Sequence, residues 1–286
     1  MSSEEFIIQI YCCVDDFLKE AAKTRTRGFS PHLTDAEVIT MEMIGEFWGM
    51  GSDKGIFDYI KSHWLSWFPT LTCRTSFVRQ SANLWGIKEE LRKFLVKKMC
   101  PENDLFLFDG FPIPTCHLKR VRKKNPFWGV GGFGYCAAKD MKYFGFKGHM
   151  VTHPRGFILD VTFAAANIDE RDVLPELVEH AQGMLIADKG LIRPELKKTL
   201  AEQGLDLQTP LRVNMQDDRP KPLVKVMMNI RRKIETVIGQ LVDRFHIQSI
   251  RAKDLWHLSV KIGRKILAHT FAFFIGDSLE FDRILG

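Results

Sequence analysis

Apolar residues recur at helical spacing through the first hundred positions. In LTDAEVITMEMIGEFW (33–48), Val38, Met41, Ile44 and Trp48 share one face, and Thr34 with Glu37 makes a Thr-x-x-Glu capping box ahead of them. SDKGIFDYIKSHWLSWF (52–68) is a second helix candidate, closed by Pro69. TCRTSFVRQSANLW (72–85) is a third, presenting Arg74, Arg79, Gln80 and Asn83, and IKEELRKFLVKKM (87–99) is a fourth, stopped by Pro101. Short helices joined by tight turns, with Arg, Gln and Asn on the third, suit a small helix-turn-helix-like DNA reader. A plain helical bundle with a solvated polar face accounts for the same pattern.

After Pro101 the period shortens. LFLF (105–108) reads as a buried strand ending at Asp109, with Gly110, Pro112 and Pro114 predicting a rigid turn. YFGFKGHMVTH (143–153) and GFILDVTFAAA (156–166) read as a hairpin turning at HPRG. A helix follows at 170–181, then a short strand, GMLIAD (183–188), that also ends in a carboxylate. RPELKKTLAEQG (193–204) is a helix with Pro at its start and Gly at its end. LDLQTPL (205–211) reads as a further strand, and residues from about 222 to 275 are mainly helical. This order predicts an α/β fold: a mixed sheet with flanking helices, preceded by a small all-α domain. The expected division is 1–100, helical with the DNA-reading face, and 101–286, the mixed sheet with a helical C-terminus.

Composition narrows this little. The 286 residues are 45% hydrophobic and 27% charged, an ordinary globular balance, and the formal charge of +6 permits a nucleic-acid partner without requiring one. The six cysteines form no CxxC pair, and MSSEEFIIQI carries acid where a secretory signal carries base, so reduced thiols in a cytoplasm are expected. Cys116, His117 and Cys136 would make a zinc site with no clear fourth ligand. ILAHTFAFFIG (266–276) is too short for a membrane span and reads as a buried helix; no membrane partner is expected. GVGGFG (129–134) matches GxGxxG by letter but follows a basic loop instead of a strand, so it reads as a flexible loop.

The carboxylates carry more. Asp109 and Asp188 each end a strand and precede a turn, a position where Asp is common for local hydrogen bonding alone. Two such ends in one α/β sheet can converge, however, and clustered oxygen ligands suit Mg²⁺ or Mn²⁺. A third acid lies in VMMNIRRKIETVIGQLVDRF (226–245), where Ile230, Ile234, Val237, Leu241 and Phe245 form an apolar stripe. Glu235 sits at its margin, either facing the sheet edge or pairing with Arg231 one turn before.

Asp109, Asp188 and Glu235 resemble the Asp-Asp-Glu triad of insertion-sequence transposases. FDGFPIP, LIADKG and RRKIETVIGQL resemble the three motifs of one bacterial branch, GFKGHM (145–150) the strand between the aspartates, and DSLEFDRILG the C-terminus. The short interval from Asp188 to Glu235 fits that branch. Two departures stand out. Gly110 follows the first Asp where relatives often carry Ser. Of the signature Tyr-x₂-Arg-x₃-Glu-x₆-Lys, Arg231 and Glu235 fit while Met228 and Val242 replace Tyr and Lys. The resemblance implies an RNase H-like catalytic domain whose three acids hold two Mg²⁺ or Mn²⁺ ions. It implies cutting at the element's ends and joining of the 3′-OH to target DNA, with no covalent protein–DNA intermediate. It also implies double-stranded DNA partners (terminal inverted repeats and target), a homo-oligomer on DNA, and a bacterial, nucleoid-associated location.

HLKRVRKKNPFWG (117–129) brings Lys119, Arg120, Arg122, Lys123 and Lys124 close after the first Asp motif, suited to phosphate contacts, with Phe127 and Trp128 placed to stack on an unpaired base. Arg74, Arg79, Arg231 and Arg232 complete the expected DNA contacts. Arg251, Lys253, Lys261, Arg264 and Lys265 read as solvated faces of the last helices, and His149 as a strand histidine with its partners satisfied. A metal nuclease of the same fold and a catalytically dead DNA-binding regulator remain alternatives; a two-carboxylate glycosidase suits the basic surroundings poorly.

Overall fold

The computed structural model describes residues 2–21, 31–100, 102–212 and 214–276; the DSLEFDRILG segment and the side chains of Arg120 and Ala138 lie outside the described residues. The chain forms two compact units, Met1–Met99 with Asp243–Gly286, and Cys100–Val242.

The first unit holds helices α1 (Ser3–Glu20), α2 (Asp35–Phe47), α3 (Asp53–His63), α4 (Arg74–Asn83), α5 (Trp85–Met99) and α9 (Leu255–Gly276). Local chemistry sets the starts. Thr34 Oγ1 accepts from Glu37 N at 3.1 Å while Glu37 Oε2 accepts from Thr34 N at 2.6 Å, and Ser2 with Glu5 repeats the box on α1. Helix α2 is buried on nearly every side, so it needs partners all round. Its buried Glu42 and Glu46 need cations as well. Lys88 of α5 reaches Glu42 at 2.8 Å; from α9, Arg264 reaches Glu46 at 2.6 Å and Lys265 reaches it at 2.7 Å. Arg264 and Lys265 are thus buried, not solvated as the sequence suggested. They also explain why α9 groups with the N-terminal helices, across the expected 100/101 division.

The second unit is a six-stranded mixed sheet: β1 (Leu105–His117), β2 (Gly132–Cys136), β3 (Met141–Thr152), β4 (Ile158–Ala165), β5 (Gly183–Ile186) and β6 (Leu205–Gln208). The order is β2-β3-β1-β5-β6 with β4 also on β3. β3 runs antiparallel to β1, and β5 and β6 run parallel. On the side of β3 away from β1, β2 pairs with 141–145 and β4 with 146–152. Helices α6 (Glu170–Leu177) and α7 (Pro194–Glu202) bury Leu174, Leu196 and Leu200 against Phe106, Phe108, Val151, Leu185 and Leu207 of the sheet. Helix α8 (Lys221–Asp243) buries Ile234, Val237 and Leu241 from the expected stripe. The hairpin at HPRG forms as the alternation predicts.

Two expectations need correction. Residues 132–136 are not a loop: they form β2, too short and glycine-rich to be legible as a strand. β1 does not stop at Asp109 but continues through both prolines. The reason is which edge each proline faces. The Asp104 carbonyl accepts from Met184 N at 2.8 Å, so even-numbered residues turn their backbone groups toward β5. Pairing with β5 ends at Leu107–Ile186. Pro112 and Pro114 therefore place their missing N–H on an edge with no partner strand among the described residues, where proline costs the sheet nothing. Gly110 N faces the same edge and is satisfied by Asp109 Oδ1 at 2.7 Å.

His149 of β3 is fully buried and stacks on Phe108 at 6.2 Å, and neither ring nitrogen finds a hydrogen-bond partner among the described residues. It is not the satisfied histidine expected. Burial holds its pKa down at about 4.

Candidate active site

Asp109 sits just past the point where β5 leaves β1. Asp188 lies two residues beyond β5 and opens a tight turn, with Leu191 N donating to its carbonyl at 3.0 Å. The last pair of the parallel register, Leu107↔Ile186, lies two residues before Asp109 on one strand and two before Asp188 on the other. Asp188 borders a cleft lined by Lys189, Gly190, Leu211 and Arg212.

Glu235 comes from α8. Arg231, one turn earlier, reaches Glu235 Oε1 at 2.5 Å through Nη2 and Asp109 Oδ2 at 3.6 Å through Nη1. Glu235 therefore pairs with Arg231 one turn before, and it is Arg231 that also reaches Asp109.

Burial pushes the Asp109 pKa up to about 6. The Gly110 N–H and the Arg231 guanidinium oppose the shift, while the carboxylates of Glu170 and Asp188 add to it. Burial outweighs the opposing help of Arg231 and the Gly110 N–H. Among the described residues, no three His, Cys, Asp or Glu side chains are already gathered as a metal cage. The donor set nonetheless fits a hard divalent ion: all carboxylate oxygens, with the guanidinium marking the space between Asp109 and Glu235 as one a cation fills.

The other expected residues are spread around both units. Lys119, Arg122, Lys123 and Lys124 are exposed in the segment after β1. Trp128 is 46% exposed with its ring stacked on Phe144 at 6.2 Å. Phe127 is buried edge-on against Phe146, so it cannot stack on a base. The exposed Phe133 and Tyr135 of β2, missed in the sequence, stand in the same segment as Trp128. Arg232 is exposed on α8, and Arg74, Arg79 and Asn83 on α4 of the helical unit. Gln80 instead turns inward, donating to Leu33 O at 2.9 Å and Asp35 Oδ1 at 2.8 Å. Glu170 and Lys147 were also missed. Their approach to the strand beside Asp109 depends on long-range pairing that no local signal reports.

A family model described as a transposase DDE domain matches residues 100–255, more than half of the chain. None of the curated proteins matches. Among solved structures, the cryo-EM structure of a piggyBac transposase synaptic complex with hairpin DNA is similar, at 12% identity and a TM-score of 0.52, over 99% of this chain and 76% of that one.

Proposed function

The chain belongs to the transposase DDE domain family, and from that premise we propose that Asp109, Asp188 and Glu235 are its catalytic acids. The proposed reaction cuts DNA at the ends of an insertion sequence and joins the freed 3′-OH to target DNA. One observation carries the assignment: Arg231 of α8 pairs with Glu235 at 2.5 Å and with Asp109 of β1 at 3.6 Å, which links two of the three acids through one cation. The strand order, with β1 central, β3 and β4 antiparallel on one side and β5 and β6 parallel on the other, supports an RNase H-like reading.

Asp109, Asp188 and Glu235 would hold two Mg²⁺ or Mn²⁺ ions. When bound, such ions neutralise the attacking and leaving oxygens of an in-line phosphoryl displacement and lower the pKa of a bound water. The protein's part is placement. Asp109 would come from β1, Asp188 from the turn that follows β5, and Glu235 from α8 together with Arg231, the cation it pairs with. Lys119, Arg120, Arg122, Lys123 and Lys124 would take phosphates in a sequence-blind, salt-dependent way, with Arg231 and Arg232 nearer the acids. Trp128 offers a stacking face for an unpaired base. Arg74 and Arg79 on α4 suit a second DNA contact from the helical unit. Two ends must be brought together, which calls for a homo-oligomer on DNA, and the setting is a bacterial nucleoid. Among the described residues no helix is long and apolar enough to cross a membrane.

The test uses labelled duplex carrying the element's flanking repeats, with Mg²⁺ or Mn²⁺. Wild type cuts at the repeat boundary and joins the 3′ end to a target plasmid. Asp109→Asn, Asp188→Asn and Glu235→Gln each bind the duplex and do neither. Full cleavage by any of the three removes that residue from the site; cleavage without joining points to a nuclease.

A further inference from the structure

One ion pair beside Gly110, the residue after Asp109, has no part in the chemistry above. Lys147 stands on β3 opposite Pro112, and its Nζ bonds to Glu170 Oε1. Glu170 is the first residue of α6, and the helix does not need it as a cap. Asp169 already fills that role, accepting from Arg171 N at 3.0 Å. The pair lies across Gly110. A Cβ built there would come 2.7 Å from Lys147 Cε and 3.2 Å from Glu170 Oε2. A side chain at 110 would displace the tips of this pair, so Gly110 leaves them room to lie across the strand beside Asp109. The two side chains are 26% and 30% exposed, so each is packed against the strand yet open to solvent at its tip.

Stability does not account for this arrangement. A partly exposed ion pair contributes little, because solvent screens it and two long side chains must be held still. Charge supplies the other motive. Glu170 and Asp188 both act on Asp109, and a phosphodiester entering that field meets repulsion. Arg231 is already committed to Asp109 and Glu235. Lys147 carries a compact charge with three donors on a flexible stem, and can pass from a carboxylate to a phosphate oxygen without disturbing the strand.

We propose that Lys147 is a phosphate-contacting residue of this site, held on Glu170 until DNA arrives, with Gly110 kept small so that it can cross the strand beside Asp109. The proposal rests on the reading of the three acids as the catalytic site.

Phosphate contacts are sequence-blind, so any labelled duplex serves as the probe, and binding is read without metal across a salt series. Lys147→Gln is expected to bind about tenfold more weakly, the scale of one lost charge-assisted hydrogen bond. Its slope of log affinity against log salt should shrink by about 0.9, one phosphate contact fewer. Lys147→Arg keeps the slope. Glu170→Gln releases the ammonium and binds as tightly as wild type or more tightly, with the slope unchanged. Thermal melts of each variant identify any loss of folding. Unchanged affinity and slope in a folded Lys147→Gln would overturn the proposal. So would a Glu170→Gln that loses affinity in step with Lys147→Gln, since the pair would then be purely structural. Asp109→Asn separates the two readings. If it still cuts with Mg²⁺, the catalytic assignment fails; if it is dead while Lys147→Gln binds like wild type, only this inference fails.

Discussion

Replacing Glu42 by Gln tests what holds the helical unit together. Glu42 is fully buried in α2. It accepts from Lys88 Nζ at 3.1 and 2.8 Å, from Ser81 Oγ at 2.5 Å and from Arg264 Nη1 at 3.4 Å. Arg264 would keep Glu46 at 2.6 Å and Asp53 at 2.7 Å. Lys88 would keep the Ser81 carbonyl at 2.9 Å and lose its counter-charge. It is fully buried, and desolvation already pulls its pKa down. Removing one partner of a buried pair costs about 3–5 kcal/mol, a large share of the roughly 5–15 kcal/mol that stabilises a typical domain. The assay is urea unfolding followed by tryptophan fluorescence. Five of the six tryptophans (Trp48, Trp64, Trp67, Trp85 and Trp256) belong to the helical unit and report on it. The double variant Glu42→Gln with Lys88→Met should recover much of the loss, because no unpaired charge is left inside. A single-variant loss under about 1 kcal/mol, or a double variant no better than the single, would refute the charge argument.

Other outcomes follow from the same structure. A fragment ending at residue 100 should fail to fold, since it removes the cations that neutralise Glu46; circular dichroism of the fragment with and without an added α9 peptide checks this. Below about pH 6.5 the two buried histidines should destabilise the protein, partly offset below about pH 6 by Asp109, whose raised pKa lets the folded state bind the extra proton. Burial holds His149 near 4 and His269 near 3 when folded, so the unfolded chain binds more protons in that window. Each histidine then removes about 1.4 kcal/mol per pH unit as pH falls from 6.5 toward its folded value. Urea midpoints from pH 7 to 5 in His149→Gln against wild type measure the slope, and an unchanged slope would count against the assignment. Arg231→Gln should bind Mn²⁺ more tightly by calorimetry, because the guanidinium no longer competes for Asp109 and Glu235; weaker binding would show that Arg231 organises the acids instead.

Features written in neighbouring residues were legible. The Thr34–Glu37 box starts α2, and alternation with HPRG makes the β3–β4 hairpin. The two aspartates stood out because each follows an apolar run and precedes glycine-bearing turn sequence. What failed depended on distant partners. Arg264 and Lys265 are of types that normally stay in water, and only carboxylates more than two hundred residues away (Glu46 for both, Glu42 and Asp53 for Arg264) reverse that. Phe127 and Gln80 turned inward for the same kind of reason, each finding a partner outside its own segment. Glu235 illustrates a different limit. Its helical neighbour Arg231 offered a local explanation that was correct and still incomplete, because spacing alone cannot report that the guanidinium also reaches a strand.

The prolines of FDGFPIP give the clearest link from sequence to site. The rule that proline ends a strand assumes that both edges are hydrogen-bonded. β1 is central only as far as Leu107; beyond it one edge is open because β5 has ended. That open edge is where Asp109 must stand if substrate is to reach it, and a row of free N–H groups there would invite another strand to pair and close it. Pro112 and Pro114 remove two of those donors, and Gly110 gives its own to the Asp109 carboxylate. The same three residues thus keep the edge unpaired, aim the acid, and leave the space that Lys147 crosses. Replacing Pro112 and Pro114 with Val should leave β1 folded, since the β3 side of the ladder is untouched, but restore a pairing edge beside the acid. The variant should self-associate at concentrations where wild type does not, measurable by sedimentation. Equal sedimentation of the two would mean that the prolines shape the strand without guarding it.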